Sequence, residues 1–302
     1  MIRNELLTGS LCALSCEIIY GMSYVFTKQA IKGVSELSLL GWRFALSFIV
    51  MNLLVAFGMI KVNIKGKKIR PLLMISLFCP VLYFIGETFG IGNTTASESG
   101  IFLACIPVAS LAASACILKK KPTSLQISGI MVTLAGVIMT VFAAGASPSF
   151  SATGYLFLLF AVFSYALYSV YVDKARDCTG IEITYMMITA GAVVFIILAL
   201  AEAMLKGNIS RLISLPFEDI GFMITLIYQG IGCSILAFFL SNVAIAKIGV
   251  NRTSTFIGIS TVVSIIAGGI FLRERLTLLQ MIGAVVIILG VYTANVRTDI
   301  IK

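Results

Sequence analysis

The chain of 302 residues has no histidine, a single tryptophan and only 12% charged residues. Without histidine it lacks the commonest zinc ligand, the usual acid–base group near neutral pH, and any Ser–His site. The seven cysteines (Cys12, Cys16, Cys79, Cys105, Cys116, Cys178, Cys233) include no Cys-x-x-Cys pair, and six lie inside apolar runs. They read as small packing residues rather than disulfides or metal ligands. No Walker A loop is present, which argues against ATP hydrolysis by this chain. The first apolar run, Leu6–Phe26, is long, carries Glu17 near its centre and has no Ala-x-Ala site, so it reads as a membrane helix rather than a signal peptide.

What the chain has in quantity is apolar surface, with 59% hydrophobic residues. An average soluble domain carries roughly 25% charged residues, and a soluble fold of this size cannot hide so much apolar area behind so little polar covering. A bilayer removes that requirement. About 20 apolar residues cross its hydrocarbon core, and ten stretches meet that length: 6–26, 37–59, 72–91, 100–118, 125–144, 154–172, 183–205, 220–240, 253–272 and 278–296. The expected fold is therefore an all-α integral membrane protein with ten transmembrane helices.

The formal charge of +9 is gathered in short stretches such as Lys65–Arg70 and Lys119–Lys121, which is the pattern of loops and not of a nucleic-acid groove. Fifteen of the 22 Lys and Arg fall at the termini and in the loops after helices two, four, six and eight. Six fall in the other loops, and Arg43 lies inside helix two. By the positive-inside rule both termini are cytoplasmic, and the loop around Ser147–Ser151 faces outside.

The stretch Phe102–Val137 aligns with Phe256–Val291 without a gap at a shift of 154, matching Phe102/Phe256, Thr123/Thr277, Leu125/Leu279, Gln126/Gln280, Gly129/Gly283 and Gly136/Gly290. The front of each half aligns at a shift of 145, with Gly9/Gly154, Leu14/Leu159, Tyr20/Tyr165 and Val25/Val170. The nine-residue difference falls on the longer loop between helices seven and eight. Five helices per half is an odd number, so the two copies, 1–146 and 147–302, enter the membrane from opposite sides. Inverted repeats of this kind characterise transporters that bind substrate near the midplane.

The segment RERLTLLQMIGAVVIILGV, with Glu274, Gln280, Gly283, Gly290 and Val291, resembles the end of an EamA unit, and ETFGIGNTTASESGIFLACIPV resembles that family's join between third and fourth helices. The first copy departs, with Lys120 where the acidic residue would sit. The chain is similar over nearly its whole length to the EamA type of the drug/metabolite transporter superfamily. The resemblance implies a secondary transporter of a small molecule in the cytoplasmic membrane. The family includes exporters of amino acids, other metabolites and toxic compounds, together with some importers; export is the expectation here.

Ionisable groups inside a membrane are costly and usually face a cavity or a partner. Glu17 lies about eleven residues into helix one and shares a helical face with Tyr20, Gly21 and Tyr24. Tyr20 and its repeat mate Tyr165 are expected to approach each other, with Tyr168 one turn beyond. A carboxylate among tyrosines suits an organic ammonium through charge pairing and cation–π attraction; protons are the alternative partner. Arg43 and Glu87 have matched depths on neighbouring antiparallel helices and are expected to form an ion pair or to act in gating or substrate binding. Tyr228 and Gln229 complete the substrate-binding candidates, with Asn242, Ser260, Thr261 and Ser264 as weaker ones. Pro107 is expected to bend helix four, and since its repeat mate is Thr261, the bend should be asymmetric. No cofactor, metal or nucleic acid is expected. Two other classes stand beside the transporter: a membrane-embedded enzyme, for which the Asp173–Asp177 cluster lacks the acidic partners of a two-metal site, and a non-transporting scaffold or receptor.

Overall fold

The computed structural model describes residues 2–119, 121–144, 151–274 and 277–295. Most of the loop around Ser147–Ser151 lies outside them. The elements run α1 (Ile2–Ala30), α2 (Glu36–Ala56), α3 (Ile69–Ser76), α4 (Tyr83–Asn93), α5 (Ala96–Leu103), α6 (Ile106–Leu118), α7 (Ser124–Ala144), α8 (Ala152–Lys174), α9 (Gly180–Leu205), α10 (Ile209–Glu218), α11 (Ile220–Ile227), α12 (Phe238–Ile248), α13 (Val250–Thr255), α14 (Ile257–Phe271) and α15 (Leu278–Asn295). There is no strand among the described residues. Eight continuous stretches are long and apolar enough to cross a membrane. Two shorter apolar helices, Ser124–Met139 and Leu278–Ala294, accompany them. The protein is a multi-pass membrane protein.

Large apolar side chains such as Ile49, Phe163, Ile197 and Ile224 face outward, while Glu17, Arg43, Glu87, Gln229 and Asn242 are buried. That distribution suits lipid outside and a polar interior, because the bilayer solvates hydrocarbon and excludes unpaired charge. Helix starts follow local rules. Ser35 caps α2, Thr95 with Glu98 and Thr179 with Glu182 form capping boxes, and Asp219 caps α11.

Two helices are interrupted in mid-course. Residues Leu77–Leu82 join α3 to α4 across a kink, where Cys79 leaves the helical region (φ −142°, ψ 117°) just before Pro80, which has no N–H to give to a regular turn. Residues Tyr228–Ala237 join α11 to α12 as a π segment without any proline. Shifted by 154, residues 77–82 fall on 231–236, inside the second segment. The interruption near Pro107 has a counterpart as well. One helix breaks between Leu103 and Ile106, with Pro107 in the first turn of α6, and the other breaks at Phe256 between α13 and α14. The expected asymmetry is therefore corrected: the second copy breaks its helix without proline. Thr261 Oγ1 bridges the two broken helices by donating to the Gly100 carbonyl at 2.7 Å.

α7 and α15 run antiparallel with their backbones almost touching. A Cβ at Gly129 would lie 2.6 Å from the Gly290 carbonyl oxygen, and one at Gly136 would lie 2.7 Å from that of Gly283. The amphipathic α10 takes up the longer loop and rests on Trp42, whose indole N–H donates to the Leu212 carbonyl at 2.8 Å. One end of the bundle is tied by Lys28, which donates to the carbonyls of Ile91 (2.9 Å), Gly92 (3.1 Å) and Thr94, and by Glu274, which accepts from the Ala96 (3.0 Å) and Ser97 (3.2 Å) amides. The other end carries the Lys67–Glu182 ion pair and a cavity of about 570 Å³ lined by Val172, Asp173, Ile183, Ile245, Lys247 and Gly249.

Candidate functional site

Glu17, Tyr20 and Tyr24 share one face of α1, as their spacing of three and four residues dictates. Gly21 brings that helix onto α14, since a Cβ there would lie 2.7 Å from the Ser260 carbonyl oxygen and 2.5 Å from Val263 Cβ. The Ser260 hydroxyl lies beside the Glu17 carboxyl and the Tyr24 phenol and donates to the Ile257 carbonyl at 2.7 Å. Glu17 is 4% exposed.

From the opposite side α8 brings Tyr165 and Tyr168, whose rings meet edge to face at 5.2 Å. Tyr83 continues the aromatic wall at 5.5 Å from Tyr165. Tyr20 lies within electrostatic range of Tyr165, Tyr168, Cys16 and Cys79, and Glu17 acts on the phenols of both α8 tyrosines. Polar groups behind the wall hold it in place. Tyr165 shares a 3.3 Å hydrogen bond with Ser241, and Tyr168 donates to Asn242 Oδ1 at 2.7 Å. Asn242 Nδ2 in turn donates to Thr184 at 3.0 Å. The structure thus gathers Glu17, Tyr20, Tyr24, Tyr165 and Tyr168 from α1 and α8 around one buried polar centre.

The second set departs from expectation. Arg43 and Glu87 form no ion pair. Arg43 donates through Nε to Ser234 (2.8 Å) and through Nη1 to Gln229 Oε1 (2.6 Å), and its guanidinium lies 4.1 Å above the Phe84 ring. Glu87 accepts a 2.8 Å hydrogen bond from Tyr83, one turn back on its own helix. The physical reason is the π segment. In a regular helix Ser234 would point roughly 140° away from Gln229, but the wider turn sets both toward Arg43 and lets Ser234 Oγ donate to the Gln229 carbonyl at 3.0 Å.

Tyr228 also departs from the expected group. Its hydroxyl donates to the Ile19 carbonyl at 2.7 Å and its ring stacks on Phe26 at 4.3 Å, bracing α1 beside the centre rather than within it. Gln229 belongs with Arg43. Tyr83, Phe84, Ser234 and Ser241 are participants that sequence reading missed. Tyr83 alone had a visible signal, lying four residues before Glu87. Among the described residues no three His, Cys, Asp or Glu side chains are grouped to hold a metal ion.

The EamA-like transporter family model matches residues 7–142 and 152–296. A Bacillus subtilis protein named as the uncharacterized transporter YcxC is 31% identical over 99% of this chain and 96% of its own length. A protein of Escherichia coli named "Probable amino-acid metabolite efflux pump" is 22% identical over 93% of this chain and 92% of its own. A crystal structure 15% identical in sequence superposes with a TM-score of 0.72 over 97% of this chain and 98% of that one, so the two share a fold. Family and relatives are transporters rather than enzymes, and the chain belongs to the EamA-like transporter family.

Proposed function

We propose that the chain is a secondary transporter that moves a small amine-bearing solute, an amino acid or organic amine, out of the cell across the cytoplasmic membrane. It would do so by alternating access between two inverted five-helix halves, 1–146 and 147–302, with both termini cytoplasmic. The observation that carries this reading is the burial of Glu17 in a polar aromatic centre built jointly by α1 of the first half and α8 and α14 of the second.

Three features support the inverted arrangement. The Gly129–Gly290 and Gly136–Gly283 contacts exchange repeat-equivalent residues, as a two-fold axis requires. The kink at Cys79–Pro80 and the π segment Tyr228–Ala237 fall at equivalent positions, and interrupted helices are where such transporters bind substrate. The ends also differ: the Lys28–Glu274 end holds a cavity of about 240 Å³ beside Ser35 and Glu202, and the Lys67–Glu182 end one of about 570 Å³, an inequality that suits one state of an alternating cycle. The name of the Escherichia coli relative supports efflux of amino-acid metabolites.

Substrate or proton must offset the cost of a carboxylate at this depth. Glu17→Gln separates the two roles. If the carboxylate is the counter-ion of a positive amine, the variant loses binding of that amine. If it carries a coupling proton, the variant still binds and exchanges substrate but loses pH-driven accumulation. A well-folded Glu17→Gln protein with unchanged binding, exchange and pH dependence would rule out both roles.

A further inference from the structure

Resting on the transport reading, we propose that Arg43 anchors the carboxylate of a zwitterionic, amino-acid-like substrate through Nη2, the guanidinium nitrogen that the folded bundle leaves without a partner. Arg43 is only 2% exposed, and Nη2 has no hydrogen-bond acceptor. Its other two nitrogens are committed to Ser234 and Gln229. Gln229 is itself fixed, donating to the Ser23 carbonyl at 3.2 Å and to Thr27 Oγ1 at 2.6 Å. The Phe84 ring holds the flat face of the guanidinium. The side chain is therefore oriented by fixed neighbours, with one charged donor left over. Leaving such a donor buried and unpaired is costly, and a cation held in place by its neighbours is the form a carboxylate receptor takes.

Glu87 does not satisfy Nη2: it makes no ion pair with Arg43, and its Oε1 accepts from Tyr83. Phe84, Tyr83 and Glu87 form one continuous run from the guanidinium, and Tyr83 and Tyr165 lead on toward Glu17. The centre thus presents a cation at one side and carboxyls beyond it. A purely cationic amine would leave Nη2 bare and be repelled by Arg43. A simple carboxylic acid would be repelled by Glu87 and Glu17. A molecule with both groups pairs at both ends and brings no net charge into the low-dielectric interior.

The test uses the full-length protein in lipid nanodiscs, titrated calorimetrically with the twenty standard L-amino acids, their carboxamides and their decarboxylated amines. At least one amino acid should bind, with its carboxamide and amine weaker by about 10-fold to 100-fold, the range expected when a hydrogen bond to a charged group is lost. Arg43→Gln should bring the acid-to-carboxamide ratio to within about threefold, and Arg43→Lys should leave an intermediate ratio, because a point charge replaces the planar fork. A residue that merely pinned the π segment would not move that ratio. Emission of Trp42, the chain's single tryptophan, reports whether each variant keeps its fold. If Arg43→Gln does not fold, the wild-type acid, carboxamide and amine series decides. Binding of amines or carboxamides as tightly as acids, binding of no amino acid, or a full ratio in folded Arg43→Gln overturns the proposal. Saturable flux of another solute through proteoliposomes would in that case leave the transport reading standing.

Discussion

Replacing Gly290 by alanine tests whether the α7–α15 contact is as close as the repeat requires. The added Cβ would lie 2.3 Å from Thr133 Oγ1, 2.5 Å from the Thr133 backbone nitrogen and 2.7 Å from the Gly129 carbonyl oxygen. The hydroxyl can rotate away, but the two backbone atoms cannot, so the helices must part along their crossing. Overpacking of this kind costs about 1–3 kcal/mol, against a gain of up to about 1 kcal/mol from replacing a helical glycine by alanine. With two backbone clashes the cost falls in the upper half of that range, and the net expectation is a loss of about 1–3 kcal/mol. Gly33→Ala is the control, since its nearest neighbour would be 4.0 Å away. Gly136→Ala should cost a similar amount, meeting the Gly283 carbonyl oxygen at 2.7 Å and the Ile287 nitrogen at 2.9 Å. The double variant should cost less than the sum, because one separation of the helices relieves both clashes. Thermal unfolding followed with a thiol-reactive dye suits the protein once the exposed Cys116 is replaced by serine, because free Cys16, Cys79 and Cys233 are buried until it unfolds. A Gly290→Ala protein as stable as Gly33→Ala would refute the close crossing.

Tyr168→Phe removes the donor to Asn242 Oδ1 in a fully buried network and should destabilise the protein by about 1–3 kcal/mol by the same dye assay. For topology, in a cysteine-free background Ser149→Cys should react with a membrane-impermeant maleimide in intact cells, and Lys65→Cys only after permeabilisation; the reverse pattern would invert the assigned orientation.

Eight stretches are long and apolar enough to cross a membrane and two shorter apolar helices accompany them, and these were legible because length and hydrophobicity are properties of the chain itself. The grouping of Glu17, Tyr20 and Tyr24 was legible for the same reason: a regular α1 keeps the 3.6-residue period. What failed did so where that period is broken. Pro80 marks one interruption in the sequence, but the π segment Tyr228–Ala237 has only Gly230 and Gly232 to hint at it. Its wider turn sends Ser234 and Gln229 to Arg43, so matched depth alone misassigned Arg43 to Glu87. Tyr228 and Gln229 are neighbours in sequence yet roughly 100° apart around the helix, and only Gln229 turns inward. The break at Phe256 has no proline to announce it.

The central claim is carrier-mediated exchange of a small amine-bearing solute without nucleotide. The direct measurement is counterflow: purified protein in proteoliposomes preloaded with an amino acid or amine identified by thermal shift, diluted into a trace of the same labelled compound with no ATP present. The account predicts saturable accumulation of label that is absent from protein-free liposomes and abolished in Glu17→Gln if the carboxylate is the counter-ion. Label that never exceeds the protein-free background, with the protein folded and the ligand bound, would contradict it.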